Sequence, residues 1–387
     1  MRIAYLSQTA FSDVDFSYIK EAQKMMDITY YVLVSPTQRQ KAAVNLASLP
    51  DKFGIFKATD INELRPFSQI VDLSRVFLVN YTSTNNHQIS SIIESFKVYK
   101  ELKQKKYDVI HLTWPPSYMN WFIYRLKRKL VLTVHDPFPH SSVVNIIREY
   151  ERKRAFNKID NLILLNESQK KDFIKYYNLD KTKKNIYTSF LSCYDYLHIH
   201  DGRVKKENCY QILFFGQIFS HKGVDYLLSA MDMVHREIPK AKLVVAGSGT
   251  YWFDISPYQH CDYIEIINRY IPDCELVELI SSSSFVVIPY IDATQSGVIM
   301  TAYAFNKPCV ATNVGALPEM VIDGINGEIV PPKDSDALSE AMIRLLKKPE
   351  IVKKYSRAIR ESYERGRQSW KHIAIDYMNI YSKIVDN

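Results

Sequence analysis

The sequence predicts an α/β protein of two doubly wound, Rossmann-like domains, on three observations. Short and almost wholly apolar runs alternate with helix-length amphipathic segments. The alternation breaks at residues 192–208 and then restarts, and several of the apolar runs end in glycine. Four or five apolar residues without polar alternation form a strand buried on both faces, the pattern of a parallel sheet covered by helices. A chain of 387 residues also exceeds what one core usually organises. The expected bounds are 1–195 for the first domain, 205–365 for the second, and 366–387 for a closing helix that packs back across the junction, with a ligand cleft between the domains.

In order, the first half has strands at 3–6, 30–34, 109–112, 130–134 and 162–165, with amphipathic helices at 89–105 and 144–156. Residues 7–17 read as a long loop after the first strand. The polar stretch 192–208, containing Asp201-Gly202, reads as a linker. The pattern resumes with a strand at 211–215 ending in Gly216, a helix at 224–238, and a strand at 241–246 ending in Gly247-Ser-Gly249. A helix at 275–283 leads into the strand at 285–288, which Pro289 ends. A new helix opens at Ser296-Gly297, Lys307-Pro308 closes it, and a strand follows at 309–311. In the last helix, 368–385, Trp370, Ile373, Ala374, Tyr377, Ile380, Tyr381 and Ile384 share one face.

Composition narrows the class. Apolar residues at 47% and charged residues at 24% describe a globular chain. The five cysteines are scattered and contain no CxxC, so neither a disulfide framework nor a zinc site is expected. No apolar run approaches the roughly 20 residues needed to span a bilayer, and the short run at the start is no signal segment. A cytoplasmic protein, in part peripheral at the inner membrane face, is expected. The net charge of +8 is uneven: residues 97–200 hold 20 Lys and Arg against 10 Asp and Glu. Within them, residues 118–129 interleave aromatics with cations, which suits an anionic membrane surface. No nucleic-acid recognition motif accompanies the charge.

The chemistry centres on the loop from Pro289 to the helix at Gly297. Unpaired N–H groups at a helix start, with the positive end of its dipole behind them, hold phosphate where glycine lets the backbone approach. A nucleotide-bearing substrate is the first expectation.

Four segments carry a more specific likeness: Phe214-Phe-Gly-Gln-Ile-Phe-Ser-His-Lys-Gly223, residues 241–249, Asn268-Arg-Tyr-Ile-Pro-Asp-Cys-Glu-Leu276, and the run from Pro289 through Val314-Gly-Ala-Leu-Pro-Glu319. With the closing helix, and more thinly with Asp108-Val-Ile-His111 and Val131-Leu-Thr-Val-His-Asp136, the chain resembles the retaining glycosyltransferases of family 4, of GT-B architecture. The resemblance implies sugar transfer from a UDP- or GDP-linked donor to a glycan or lipid-linked glycan, in cell-surface polysaccharide synthesis, with anomeric retention and no metal or other cofactor. It places Gly216, Lys222 and Gln217 at the donor diphosphate, where Gln217 occupies a position the family fills with arginine. Asp292, Thr294, Gln295, Ser296, Gly297 and Val298 fall on the donor turn, and Thr301 near the ribose.

The family's paired glutamates fall on Ala293 and Thr301, neither of them acidic. That departure keeps a catalytically silent nucleotide-sugar or glycan-binding partner open as an alternative, beside an epimerase or phosphorylase of related architecture. His135, after a five-residue apolar strand, sits at the carboxyl edge of its sheet, and the matching family histidine lies beside the transferred sugar. His111 reads as packed in its strand near Trp114. Gln8, Phe11 and Asp13 are the acceptor-side candidates, and Asp13-Val-Asp15 lacks the third ligand a metal site needs.

Overall fold

The computed structural model describes residues 1–39, 44–83, 88–138, 146–165, 167, 169–180, 182–293 and 296–386. They fall into two units, Met1–Leu191 with Trp370–Asn387, and Ser192–Ser369. Among them no helix is long and apolar enough to cross a membrane.

The first unit contains β1 (Arg2–Gln8), α1 (Ser12–Met25), β2 (Asp27–Val34), β3 (Gly54–Lys57), β4 (Val76–Asn80), α2 (Ile89–Gln104), β5 (Val109–Leu112), β6 (Leu130–Val134), α3 (Ile146–Lys158), β7 (Asn161–Leu164), α4 (Lys170–Tyr176) and β8 (Asn185–Thr188). Its sheet runs β3-β4-β2-β1-β5-β6-β7-β8, parallel except for the antiparallel edge strand β3. The strand order turns outward in both directions from β1 and β5, which makes the gap beyond their carboxyl ends a topological switch point, where open α/β sheets bind ligands.

One face of this sheet buries an apolar layer that includes Leu6, Tyr31, Leu112, Leu132, Phe156 and Phe173. The other is partly polar. Asp15 of α1 is buried and accepts hydrogen bonds from the hydroxyls of Tyr5 and Tyr30, each at 2.9 Å. Burial pushes the Asp15 carboxyl up to about 7, against the opposing pull of hydrogen bonds from Ser7, Tyr5 and Tyr30. His111, wholly buried in β5, is hydrogen-bonded to the Tyr381 hydroxyl and to Thr133 Oγ1 at 2.7 Å. Burial and the neighbouring His135 lower its pKa to about 3, so the ring is neutral. Tyr381 lies on the closing helix, which also meets Tyr18 of α1. Buried polar groups are tolerable when each has a partner, and these pair with one another across six elements.

The second unit contains β9 (Gln211–Phe215), α5 (Val224–Glu237), β10 (Lys242–Ala246), β11 (Ile264–Ile267), α6 (Asp273–Ser282), β12 (Phe285–Ile288), α7 (Gly297–Ala304), β13 (Cys309–Thr312), α8 (Leu317–Met320), β14 (Gly327–Val330), α9 (Ser335–Lys347) and α10 (Pro349–Arg360). The closing helix α11 (Trp370–Asp386) belongs to the first unit. The second sheet is parallel throughout, β11-β10-β9-β12-β13-β14. Numbered within the unit this is 3-2-1-4-5-6, the order of a dinucleotide-binding sheet, with its switch point between β9 and β12.

Three sequence expectations change. Residues 7–17 are not a long loop: a 3-10 turn, Thr9–Phe11, leads directly into α1, whose buried face mixes Val14, Phe16, Tyr18 and Ile19 with Ser12, Asp15 and Ser17. Inward polar residues erase the helical hydrophobic period: Asp15 accepts from tyrosines, while Ser12 and Ser17 donate to the carbonyls of Thr9 and Asp13. His111 packs against Tyr5, Tyr377 and Tyr381 rather than near Trp114, because it points to the face that α11 covers. The 192–208 stretch is not a free linker either. Its 3-10 segment Asp195–Arg203 buries Tyr196 and Leu197, and the Tyr196 hydroxyl donates to Asp273 of α6 at 3.0 Å.

The tyrosine layer gives a stability prediction. Tyr381→Ala removes a buried ring and leaves His111 and Tyr18 short of a partner, and should cost about 3–5 kcal/mol. Tyr381→Phe, which keeps the ring, should cost about 1–2 kcal/mol. Thermal denaturation of the purified chain should rank the two in that order.

Candidate functional site

In the second unit the switch point is built from two turns sewn together. The β9–α5 turn runs from Gly216 through a 3-10 segment, Ser220–Lys222, to Gly223, which starts α5 with φ +63°. A Cβ on Gly223 would lie 2.0 Å from the Pro289 carbonyl oxygen, so only glycine lets this turn meet the one after β12. Alongside, the Ile291 N–H donates to the His221 carbonyl at 2.8 Å.

This contact sets Lys222 in place. Its ammonium lies 3.6 Å from the centroid of the Tyr290 ring, a cation over a π face. Partial burial lowers its pKa to about 8. Exposed Asp292 acts on the neighbouring His221, whose pKa is nevertheless held below its usual range by partial burial and by Lys222.

The start of α7 completes the region. Ser296, the residue before the helix, is buried, with its hydroxyl close to that of Tyr290. Gly297 is exposed, and the Tyr194 ring lies against the side where a Cβ would be. Val298 faces Gly216 across the switch point. Thr301 is buried one turn on, and its hydroxyl donates to the Gly297 carbonyl at 2.8 Å. Gln217 is exposed on the opposite turn, and Ala293 is half-buried. Thr294 and Gln295 lie outside the described residues. The arrangement offers an anion an ammonium, a hydroxyl and the first N–H groups of a helix, all from adjoining turns.

In the first unit the carboxyl edge carries an aromatic stack. Phe11 lies on the His135 ring at 4.5 Å between centroids and meets Trp114 at 5.7 Å. Burial depresses His135 to about 4, with Asp136 pulling the other way, so the imidazole is neutral near pH 7 and able to accept a proton. Beside the stack lies a cavity of about 530 Å³, lined by Gln8, Phe11, Gln38, Thr113, Trp114 and Arg148 among others. Asp13 does not line it; it stands in the first turn of α1. Gln8, Phe11 and His135 thus come together, and Asp13 stays apart. Asp15, the other carboxylate of that pair, is enclosed by tyrosines.

Three residues of these edges are absent from the site candidates of the sequence reading. Tyr290 and Tyr194 are single tyrosines in a chain with 27 of them. Trp114 could have been found, since Trp-Pro-Pro directly after an apolar strand marks a large ring at a sheet's carboxyl edge.

Comparison with known proteins agrees with this geometry. Residues 209–348 match the family model described as glycosyl transferases group 1, and residues 55–186 that of glycosyltransferase family 4, so the two together take in more than two thirds of the chain. An uncharacterized glycosyltransferase of Methanocaldococcus jannaschii is 31% identical over 177 residues, which is 44% of this chain and 44% of that protein, so the match spans less than half of that relative. A second from the same organism is 26% identical over 77% of this chain and 82% of its own length. In fold, the chain is similar to Anabaena Alr3699/HepE, solved in complex with UDP, with a TM-score of 0.64 at 14% identity over 99% of this chain and 100% of that one. Two parallel Rossmann-like sheets, a glycine-built switch point and both family matches lead to one assignment: the chain belongs to the family 4, group 1 glycosyltransferases and has the GT-B fold.

Proposed function

We propose that the protein transfers a sugar, with retention, from a UDP- or GDP-linked donor to a glycan or lipid-linked glycan, in cell-surface polysaccharide synthesis. The observation that carries this reading is the seating of Lys222 on the ring of Tyr290, in the turn after β12 that leads to α7. Breaking a glycosyl–phosphate bond leaves charge on the departing diphosphate. A fixed ammonium and oriented amides stabilise that charge without a metal.

In this reading the diphosphate lies on the N–H groups of Gly297 and Val298. Lys222 counters it, Ser296 and Thr294 supply hydroxyls, and Gly216 leaves room beside Val298. Thr301 and Gln217 take the ribose and outer phosphate positions, with Asp292 and Gln295 toward the sugar. The first unit takes the acceptor: Gln8 and the Phe11–Trp114 face hold it in the cavity, while Asp13, in the first turn of α1, stands outside the lining. Neutral His135 accepts a hydrogen bond or proton from a hydroxyl.

One observation favours a second reading. Ala293 has no acid to offer, and the Thr301 hydroxyl is engaged within α7, which is what a silent nucleotide-sugar or glycan binder would tolerate. Incubation with UDP- and GDP-sugars, following nucleoside diphosphate release with and without acceptors, separates the two. Binding without turnover across a broad acceptor set would favour the silent partner.

Lys222→Ala should lower transfer by about 10²-fold or more, and undiminished turnover would refute its role. The pH profile tests the same group by sign. An ammonium depressed to about 8 is charged below that pH and neutral above it. Donor kcat/KM should therefore stay level up to about pH 8 and fall about tenfold per unit beyond it. In Lys222→Arg, charged throughout, that alkaline limb should disappear from whatever activity remains.

A further inference from the structure

The cavity of the first unit is walled by two kinds of surface. Gln8, Gln38 and Asn120 bring amides, with serine and threonine hydroxyls between them, and Phe11, Tyr81 and Trp114 bring rings. At about 530 Å³ it has the size of a small-molecule site. Among the described lining residues the one guanidinium and the one carboxylate belong to Arg148 and Glu151, so the wall carries no net charge. The unit is rich in cations, yet they stand elsewhere. Lys97 and Lys100 are exposed on α2, and the Arg125 guanidinium lies over the Trp121 ring. The side chains of Tyr118, Met119, Lys127 and Arg128, in the same basic run, lie outside the described residues.

Behind this wall lies a carboxylate. Ser7 lines the cavity and hydrogen-bonds to Asp15, and Thr113, also in the lining, donates to Ser7 Oγ at 2.6 Å. Asp15 and both hydroxyl residues are buried. A carboxylate can only accept hydrogen bonds, so with Asp15 ionised the single Ser7 hydrogen must point at it, and Ser7 can then only accept from Thr113. Both hydroxyl dipoles turn their negative ends away from Asp15, and this part of the floor becomes electronegative.

Asp15 faces Tyr5 and Tyr30 from the sheet, Tyr18 and Asp13 on its own helix and Tyr377 from α11, with His111 beyond Tyr5. Burial holds these tyrosines above their usual range, and His111 is neutral. Among the buried groups here, Asp15, raised to about 7, is therefore the one whose charge changes across neutral pH.

Chemistry of this kind identifies a ligand. Amides and hydroxyls that both give and accept hydrogen bonds match the hydroxyls of a sugar, and a ring covers its apolar C–H face. An anionic group would find no net cation in the wall and a buried carboxylate behind it. We propose that the cavity takes the uncharged end of a glycan, and that Asp15, acting through Ser7 and Thr113, excludes anionic sugars and phosphates from it. A neutral-glycan ligand narrows, and rests on, the acceptor reading of the cavity. Asp15 is a positioning residue, since it sets the hydroxyls that border the ligand's space.

The test is binding, read without donor. The full chain is applied to an array of neutral oligosaccharides of glucose, galactose, mannose and N-acetylhexosamines, beside the same backbones carrying a uronic acid, a sialic acid or a phosphate. Neutral members should be bound, and each charged counterpart should bind at least about tenfold more weakly. The best neutral binder and its uronic counterpart are then titrated by calorimetry at pH 6 and pH 8. Neutral binding should stay level, because a sugar hydroxyl turns to suit the floor. Uronic binding should weaken about fivefold at the higher pH as Asp15 ionises, and Asp15→Asn should abolish that change. Trp114→Ala should weaken neutral binding about five- to tenfold, with Trp114→Phe retaining most of it. If Asp15→Asn folds poorly, the wild-type pH dependence and the Trp114 pair decide. A preference for charged members, no neutral member bound, uronic binding that is level in pH or keeps its pH dependence in Asp15→Asn, or undiminished binding by Trp114→Ala overturns the proposal. Neutral binding without nucleotide-sugar turnover would defeat the transferase reading alone, and turnover onto a charged glycan would defeat the neutral-glycan cavity alone.

Discussion

The donor-side geometry depends on backbone approaching backbone with no side chain between. At Gly223 the turn after β9 touches the carbonyl of Pro289. At Gly247, with φ +155°, a Cβ would lie 1.7 Å from the Gly216 carbonyl oxygen. These contacts register the turns after β10, β9 and β12 against one another, and the side chains follow. Lys222 then has one aromatic face to lie on, and Gly216 meets Val298. A cation on a longer or looser loop would lose more conformational entropy on meeting a diphosphate than one already seated on a ring.

The first unit solves a different problem with the same sheet plan. Its switch point opens as a cavity, and the sheet face that carries Tyr5, Tyr30 and His111 buries polar groups under α1 and α11. Asp15, the tyrosines and His111 satisfy one another there, so that face is specified by hydrogen bonds as much as by apolar contact. An aromatic-rich composition makes this possible, because a tyrosine supplies both a large ring and a terminal partner.

Much of this was legible in the sequence, for physical reasons. Strands buried on both faces must be apolar throughout, so Ile212–Phe215 and Phe285–Ile288 announce a parallel sheet. Ser296-Gly297 reads as a helix start because a small polar residue must precede one. The pattern failed where tertiary pairing replaces local preference. Helix α1 hides behind Ser12, Asp15 and Ser17, and β3 owes its strand character to β4. Lys222 could be singled out from its place before Gly223, but its ring partner belongs to a turn far along the chain. Likewise Asp13 and Asp15 look alike in sequence, and only the fold separates a carboxylate in the first turn of a helix from one enclosed by phenols.

Helix α11 carries a consequence for the order in which the molecule assembles. The ribosome delivers Tyr18 and His111 well before their shared partner Tyr381, with all of Ser192–Ser369 in between. At synthesis rates of about 5–20 residues per second that interval lasts about 10–40 s. Through it the nascent first sheet holds one face, with its imidazole, uncovered, while the later-made sheet receives every strand it needs and can close. The first unit is thus completed only after the second has been made, and the emerging chain has a window of exposure that ends when α11 docks.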